Sequence, residues 1–573
     1  MKKLINAPDA VTRDMLSALA RSDSRLMIEP DHGIVIRTDY LAYRDSGKVA
    51  LISGGGSGHE PAHAGYVGKG MLTAAVAGEV FTSPSVDAVL AAIRLVTGPA
   101  GCLLIVKNYT GDRLNFGVAA SIARGEGLNV ATVLVDDDVA IPAGKSRAGA
   151  RGLAGTVLVH KVAGAAAEAG ATLDALSAEL QAFIPLIGTM GIGLSACTVP
   201  AAGKPSFVLG EGEVEYGLGI HGEPGVSREA IGTADAIADR LVATIVESKQ
   251  IPVGSPIILL VNGLGGTPPA ELAIVAGSAI TACRAHGLHI KRILIGSFLT
   301  AIEMAGCSIT LATASDEVIE RLDASTDASA WLPPLTPSDG SHAVVAPPPA
   351  ATSAGATGPA AEPAMQKAFG AAIRSAAKAL IDAEPMLTAL DAKVGDGDLG
   401  ISMMRGAQAV LGAIDTLDMS HPATALEQIA SLLRRNVGGT SGPLYAAFTL
   451  ALALSLRDDG GDLALADWAR AFDRGCRAIM DLGGAGKGDR TMLDAMLPAS
   501  EALHEAASAG VATHEALRRS VQAARAGTDE TARLDPRFGR SSYVGDRAIG
   551  HVDPGAEAVT IWLGALPGII VNS

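Results

Sequence analysis

Short aliphatic runs that stop at glycine-rich or polar loops alternate with alanine-rich amphipathic stretches in the first half of the chain. Residues 49–53 (VALIS) run into a Gly-Gly-Gly-Ser-Gly loop, residues 102–106 (CLLIV) into Lys107, and residues 130–135 (VATVLV) into Asp136, Asp137 and Asp138. Runs of this length and β-branched content predict strands, and the stretches between them, 86–96 and 117–126, predict helices. Such alternation predicts a largely parallel α/β sheet with ligand loops at the carboxyl ends of its strands. A second set, 257–261 before Asn262 and 289–295, predicts another α/β unit over about 188–331. Beyond residue 363 the period changes. Phe369, Ile373, Ala376 and Leu380 share one helical face, and further helices are predicted near 423–435, 444–456, 465–480, 490–506 and 513–526. Residues 558–563 (AVTIWL) read equally as a strand or a helix, and this part of the chain is expected to be all α.

Between the two patterns, residues 333–363 are rich in Pro, Ala, Ser, Thr and Gly and poor in large apolar residues, which predicts an extended linker. The expected organisation is therefore an α/β domain over 1–332 with two lobes split near 187, a linker over 333–363, and a helical domain over 364–573. A length of 573 residues exceeds one ordinary core, in line with several domains. With 48% hydrophobic but only 3% aromatic residues, the cores must be built from Ala, Val, Leu and Ile, with close backbone approach at many of the 68 glycines. A formal charge of -15 without Lys/Arg clusters argues against nucleic acid as a partner. Nucleotides stay possible, because metal ions and backbone N–H groups can hold their phosphates. Cys102, Cys197, Cys283, Cys307 and Cys476 are scattered and show no C-x-x-C spacing, which suits a reducing compartment. The basic start at Met1 has no apolar stretch of signal-peptide length behind it, and the longest apolar run, 443–456, is too short to span a membrane. A cytoplasmic location and no membrane association are expected.

Three aspartates, Asp391, Asp396 and Asp398, are interleaved with Gly395, Gly397 and Gly400, so the backbone can fold the carboxylates toward one point. Hard cations such as Mg²⁺ take a few carboxylates and leave positions for water and phosphate; a solvated Asp-Gly turn is the plainer alternative. The EF-hand pattern with its closing glutamate is absent, as are a Walker A loop and the protein-kinase motif set. Further glycine-bearing turns lie at 438–443, with Thr440 and Ser441 before a helix, at 483–492 and at 539–555. Turns at helix starts supply N–H groups and the positive end of a helix dipole, both suited to phosphate. In the first half, the loop 54–61 with His59 follows a strand directly, and Lys107 and Asp112 follow the next one. His221 lies in a glycine-rich turn, where an accessible imidazole could attack a carbonyl; a lone loop histidine is more often a surface residue. The run Asp136–Asp138 reads as a solvated strand end, since three adjacent carboxylates cannot all face one ion.

Taken in order, the segments 54–63, 106–112, 151–156, 217–224, the three aspartates, 438–442, 488–494 and 553–555 resemble the single-chain, ATP-dependent dihydroxyacetone kinases over nearly the whole chain. The resemblance implies a two-lobed α/β substrate domain followed by an antiparallel helical-barrel nucleotide-binding domain. It implies that His221 forms a hemiaminal with the ketose carbonyl, and that Gly56, Ser57, Gly58, His59 and Lys107 contact the substrate. His59 and Asp112 are implied to orient or deprotonate the attacking hydroxyl. Asp391, Asp396 and Asp398 match the ligands of two Mg²⁺ ions. Implied ATP contacts are Leu399, Gly400, Ile401, Ser402, Thr440, Ser441, Gly483, Met492, Arg540, Asp553, Pro554 and Gly555. Where many members carry His or Cys followed by small polar residues, this chain has Leu399, Gly400 and Ile401, so contact there is expected through the backbone. The resemblance leaves dihydroxyacetone and a four-carbon ketose such as erythrulose both open as substrates. It also leaves open a flavin-nucleotide cyclase side activity, a homodimer, and transfer within a chain or across a dimer.

Overall fold

The computed structural model describes residues 2–141, 149–338, 360–457, 463–539, 542 and 545–566. Arg540 and most of the expected linker, 339–359, lie outside the described residues. The chain divides into two compact units, 1–344 and 345–573.

Among the described residues, the first unit holds two six-stranded sheets. In the first, β1 (Leu26–Glu29), β2 (Ile34–Arg37), β3 (Ala50–Ser57), β4 (Ala74–Val80), β5 (Cys102–Lys107) and β6 (Val130–Val135) lie in the order β1-β2-β4-β3-β5-β6. The pairs β3–β4, β3–β5 and β5–β6 are parallel, as expected for strands buried on both faces. The second sheet comprises β7 (Ile187–Gly193), β8 (Glu213–Tyr216), β9 (Ser227–Ala230), β10 (Pro256–Gly263), β11 (His289–Gly296) and β12 (Gly306–Thr313), ordered β11-β10-β12-β7-β8-β9. Only β10–β11 is parallel there; the other four pairs are antiparallel.

The expected helix at 86–96 forms as Val86–Val96, with the Ser85 hydroxyl accepting from Ala88 N–H. The helix expected from 117 begins earlier, at Thr110, and its first turn carries Asp112. One helix, Gly155–Glu168, is buried on nearly every face and touches β3, β5 and β7, so a single apolar cluster joins both sheets. Its Gly164 is obligatory: a Cβ there would lie 2.3 Å from Gly70 O and 2.3 Å from Met71 Cα. Gly164→Val is expected to lower stability by about 1–3 kcal/mol or more through overpacking against backbone. A melting temperature equal to wild type would show that this contact yields freely.

Among the described residues, the second unit is a closed ring of eight helices. In contact order these are Pro363–Asp382, Leu399–Ala413, Pro422–Asn436, Ser441–Leu456, Leu465–Gly483, Leu493–Ser508, Thr513–Glu530 and Pro554–Gly564, the last packing back on the first. A ninth, Glu384–Val394, packs mainly on Leu399–Ala413. Residues 558–563 are helical: the Asp553 carboxylate caps the start by accepting from Ala556 N–H at 2.8 Å, and Pro554 occupies the first turn. Since neighbours alternate in direction, the starts of Leu399–Ala413, Ser441–Leu456, Leu493–Ser508 and Pro554–Gly564 share one rim. No helix among the described residues is long and apolar enough to cross a membrane. All five cysteines are buried and unpaired.

Candidate active site

In the first unit, loops from both sheets bring the expected residues together. Asn262, at the end of β10, accepts from Phe298 N–H and Leu299 N–H and so fixes the segment 298–302. That segment holds the loop after β3: Ile302 N–H donates to Gly58 O, and His59 Nδ1 lies 2.7 Å from Thr300 O. A carbonyl only accepts, so His59 Nδ1 carries the proton and Nε2 has the lone pair. His59 is fully buried, its Nε2 meets no protein partner, and its ring stacks on Phe81 at 5.0 Å. Burial pushes the His59 imidazole well below its ordinary pKa, with the charges of His221 and Lys107 adding to the effect. It is therefore a neutral base with a buried acceptor that no protein group occupies.

His221 follows β8 and meets His59, Phe81 and Tyr109 edge-on, at 4.8, 5.1 and 4.7 Å between ring centres. Its Nδ1 lies 2.9 Å from Glu223 Oε1. Burial raises the Glu223 carboxyl, but the hydrogen bond and charge of His221 outweigh it and hold the acid down to about 2. An ionised Glu223 can only accept, which puts a proton on Nδ1 and leaves His221 Nε2 as the reactive nitrogen when the ring is neutral. The side chain is 23% exposed, enough for a small molecule to reach it.

Lys107 ends β5 and is 1% exposed; its Nζ lies 4.0 Å from Asp112 Oδ2 and 2.7 Å from His63 Nε2. Burial lowers the Lys107 ammonium pKa, and the Asp112 charge offsets part of that. Gly56 and Gly58 allow close packing, since a Cβ on either would strike the segment Phe81–Thr82. The Ser57 hydroxyl donates to Gly78 O, so Ser57 presents only its backbone to the site.

The aspartate run after β6 departs from the expected solvated end. Asp136 is exposed, but Asp137 is fully buried and accepts from Leu153 N–H, Gly155 N–H and the Thr189 hydroxyl. Asp138 pairs with Arg151 at 2.6 Å, and Arg151 donates to Gly217 O, four residues before His221. Asp138 thus braces the histidine turn through Arg151, and Asp137 ties the end of β6 to residues 153–155 and β7, roles invisible without the distant partners.

In the second unit, Asp391 ends one helix and Asp398 starts the next. Asp391 Oδ2 accepts from Asp398 N–H at 3.0 Å and Leu399 N–H at 3.2 Å, and a Cβ on Gly395 would lie 2.4 Å from Asp391 Oδ1. Gly397 sits at φ +78, which favours glycine. The turn brings one carboxylate oxygen from each of Asp391, Asp396 and Asp398 within 4.8 Å of one another, the oxygen-rich anionic arrangement that suits a hard divalent cation.

The expected nucleotide residues lie along the same rim. A Cβ on Gly438, beside Thr440 and Ser441, would lie 3.1 Å from Ser402 Oγ; one on Gly555, beside Asp553 and Pro554, would lie 3.6 Å from Met492 Cβ; one on Gly483 would lie 3.5 Å from Leu444. Gly400 packs against Thr388 and Glu384. Leu399 is half-buried against the core, while Ile401 is 41% exposed. Asp553 is buried, and burial pushes its carboxyl up to about 6.

Comparison with known proteins decides the family. A model of the Dak1 domain matches residues 17–330, and one of the DAK2 domain matches 393–567. The chain belongs to the ATP-dependent dihydroxyacetone kinase family. Its relatives include triokinase/FMN cyclase of Homo sapiens, 40% identical over 99% of this chain and 98% of that one. A Solanum lycopersicum protein provisionally named a 3,4-dihydroxy-2-butanone kinase is 43% identical over 98% and 97%. Among solved structures, the dihydroxyacetone kinase of C. freundii in complex with AMP-PNP and Mg²⁺ matches with a TM-score of 0.66, 35% identity and 99% coverage of both chains. The two-layered expectation of an α/β part followed by helices fits this kinase fold.

Several residues of the candidate site escaped sequence reading. Glu223, Phe81, Tyr109 and Thr300 shape the histidine pair, and only Glu223 had a local signal, two residues after His221 in the same turn. On the helical rim, fully buried Arg490 donates to the carbonyls of Thr531, Ala548 and His551, and Asp494 accepts from Gly488 N–H and Thr491 N–H. Both lie in the 488–494 motif, whose charged residues gave no hint that they brace loops.

Proposed function

We propose that this chain transfers the γ-phosphoryl group of ATP to a terminal hydroxyl of dihydroxyacetone, which it holds as a hemiaminal on His221. The observation that carries the reading is the pair of adjacent imidazoles: His221, whose Nδ1 is engaged by Glu223 so that Nε2 faces outward, beside His59, whose Nε2 has no protein partner. His221 Nε2 adds to the carbonyl carbon as the C=O π bond opens and the oxygen takes a proton; Glu223 stabilises the positive charge developing on the ring. A polyol such as glycerol has no carbonyl and is passed over. Lys107 donates to a substrate oxygen, Gly56 and Gly58 let backbone N–H groups approach, and His59 Nε2 or Asp112 accepts the hydroxyl proton as the oxygen attacks phosphorus. The O–P bond forms, the Pγ–O bond to the β-phosphate breaks, and ADP leaves.

Asp391, Asp396 and Asp398 hold Mg²⁺, two ions by family resemblance, whose charge when bound neutralises the ATP phosphates. The four helix starts of the rim supply N–H donors for the same phosphates, and the Met492–Gly555 contact offers an apolar wall for the base. In this reading Leu399 and Ile401 contribute backbone only, and Ser402, Thr440, Ser441, Gly483, Asp553 and Pro554 line the nucleotide. A four-carbon ketose is the second reading, favoured by the name of the Solanum lycopersicum relative. The test is a panel of dihydroxyacetone, erythrulose, 3,4-dihydroxy-2-butanone and glyceraldehyde with ATP as sole phosphoryl donor, scored by kcat/KM. Dihydroxyacetone is expected to lead, and a large preference for a four-carbon ketone would replace it.

A further inference from the structure

Behind Lys107 runs a chain of buried imidazoles that the reaction as described does not use. Lys107 Nζ lies 2.7 Å from His63 Nε2, and His63 Nδ1 lies 2.9 Å from His160 Nε2 and 3.4 Å from Ser53 Oγ. The direction of these bonds is fixed from both ends. Ser53 donates its single hydroxyl proton to Ile105 O at 2.7 Å, so toward His63 it can only accept, and His63 Nδ1 must carry a proton. The neutral ring then has a lone pair on Nε2, which faces the ammonium of Lys107. His160 Nε2 in turn accepts from His63, which leaves the proton of His160 on Nδ1, a buried atom with no protein partner.

Such an arrangement has no packing rationale. The helix Gly155–Glu168 is mostly apolar where it passes between the sheets, its buried Lys161 is satisfied by Arg321 O, and a leucine at 160 would fill the space without stranding the His160 donor. We propose that His63 and His160 are positioning residues that aim the Lys107 ammonium at the ketose and keep it charged. The proposal rests on the reading that Lys107 donates to the substrate. Loss of the His160 acceptor leaves only the long 3.4 Å contact with Ser53 Oγ to anchor His63 Nδ1–H, so the His63 ring is free to rotate; Lys107 then loses its nearest acceptor, keeps only Gly54 O at 3.5 Å, and swings from line. The groups facing this chain are Asp112 at 4.0 Å from Lys107, His59, whose imidazole senses the Lys107 charge, and Tyr66, whose ring centre is 6.2 Å from that of His160. Burial already disfavours the charged forms of Lys107, His63 and His160, so the neutral histidines must act as acceptors, never as competing cations.

The test uses the full-length enzyme with dihydroxyacetone, ATP and Mg²⁺. His160→Leu is expected to lower kcat/KM for the ketone about tenfold, the value of one lost hydrogen bond, with KM for ATP unchanged. The sign of the pH effect follows: an ammonium without its nearest acceptor deprotonates more readily, so the alkaline limb of kcat/KM moves to lower pH. His160→Gln, whose amide oxygen can accept from His63, should recover most of the activity and return the limb. Unchanged kinetics in His160→Leu, or equal impairment in both variants, would overturn the proposal. Nitrogen-15 spectra of histidine-labelled wild type give a check that needs no variant: both rings are expected as the Nδ1–H tautomer, and an Nε2–H tautomer at His63 would also overturn it. The wild-type assay separates the two levels of inference. No dihydroxyacetone turnover by wild type would sink both the functional reading and the relay, whereas normal wild-type turnover with a silent His160→Leu sinks the relay alone.

Discussion

His221→Ala is expected to lower kcat/KM for dihydroxyacetone by at least about 100-fold, the order of loss for a substrate no longer held in line, while Mg²⁺-dependent binding of an ATP analogue stays at the wild-type level. The argument starts from hydrogen-bond direction. Glu223 is held ionised, so it accepts from Nδ1 and leaves Nε2 available; the ring is clamped edge-on among His59, Phe81 and Tyr109 and cannot rotate away. Removing the imidazole deletes the proposed nucleophile while leaving Arg151 bound to Gly217 O, so the turn itself is expected to persist. Discrimination should fall with activity: wild type should ignore glycerol, and the variant should prefer dihydroxyacetone to glycerol by a much smaller factor. The measurement is steady-state kinetics on both acceptors together with a crystal structure of each protein soaked in dihydroxyacetone, where only wild type should show density continuous from Nε2 to carbon. Unchanged kcat/KM in the variant would remove the covalent role.

The legible and illegible parts of this molecule divide by range. Strands β3, β5 and β6 and the helix Val86–Val96 follow from local apolar runs, although β3 continues through Gly54–Ser57, which read as a loop because glycines carry no strand signal. The second sheet was read only through β10 and β11. Its β7 (IGTMGIG) carries three glycines that hide the strand signal, though they let it lie close to its neighbours. The strand-or-helix ambiguity at 558–563 arises because that helix is buried on most sides, so it lacks the polar stripe that marks amphipathic helices. Site residues behave likewise. The three aspartates are close in sequence and their convergence was readable, whereas His160 meets His63 across 97 positions and Thr300 meets His59 across 241. Asp137 shows the cost of local reading: its three partners come from 153, 155 and 189, so a buried brace looked like a wet strand end.

Asp396→Asn is expected to cut kcat/KM for ATP by about 10²–10³-fold, the order found when one preorganised charge-stabilising group is removed, with the ketone still captured on His221. Asp396 is the right member of the triad to change. Asp391 is buried and accepts two backbone N–H groups that shape the turn, and Asp398 N–H is one of those donors, so changes at 391 would mix folding with binding. Asp396 is exposed, and its replacement by an isosteric amide keeps the shape while removing one negative charge from a cluster whose oxygens lie within 4.8 Å. A hard divalent cation binds a neutral amide oxygen more weakly than a carboxylate, so the Mg²⁺ concentration for half-maximal rate should rise while the melting temperature stays near wild type. Calorimetry with AMP-PNP across a Mg²⁺ series reads the nucleotide arm, and carbon-13 spectra of labelled dihydroxyacetone read the hemiaminal arm in the same preparation. Weakened nucleotide binding with an intact hemiaminal signal is the expected pair. Equal loss of both would mean that the aspartates and His221 do not divide the reaction between phosphate donor and ketone, and that the assignment of the two units to separate halves of the chemistry is wrong.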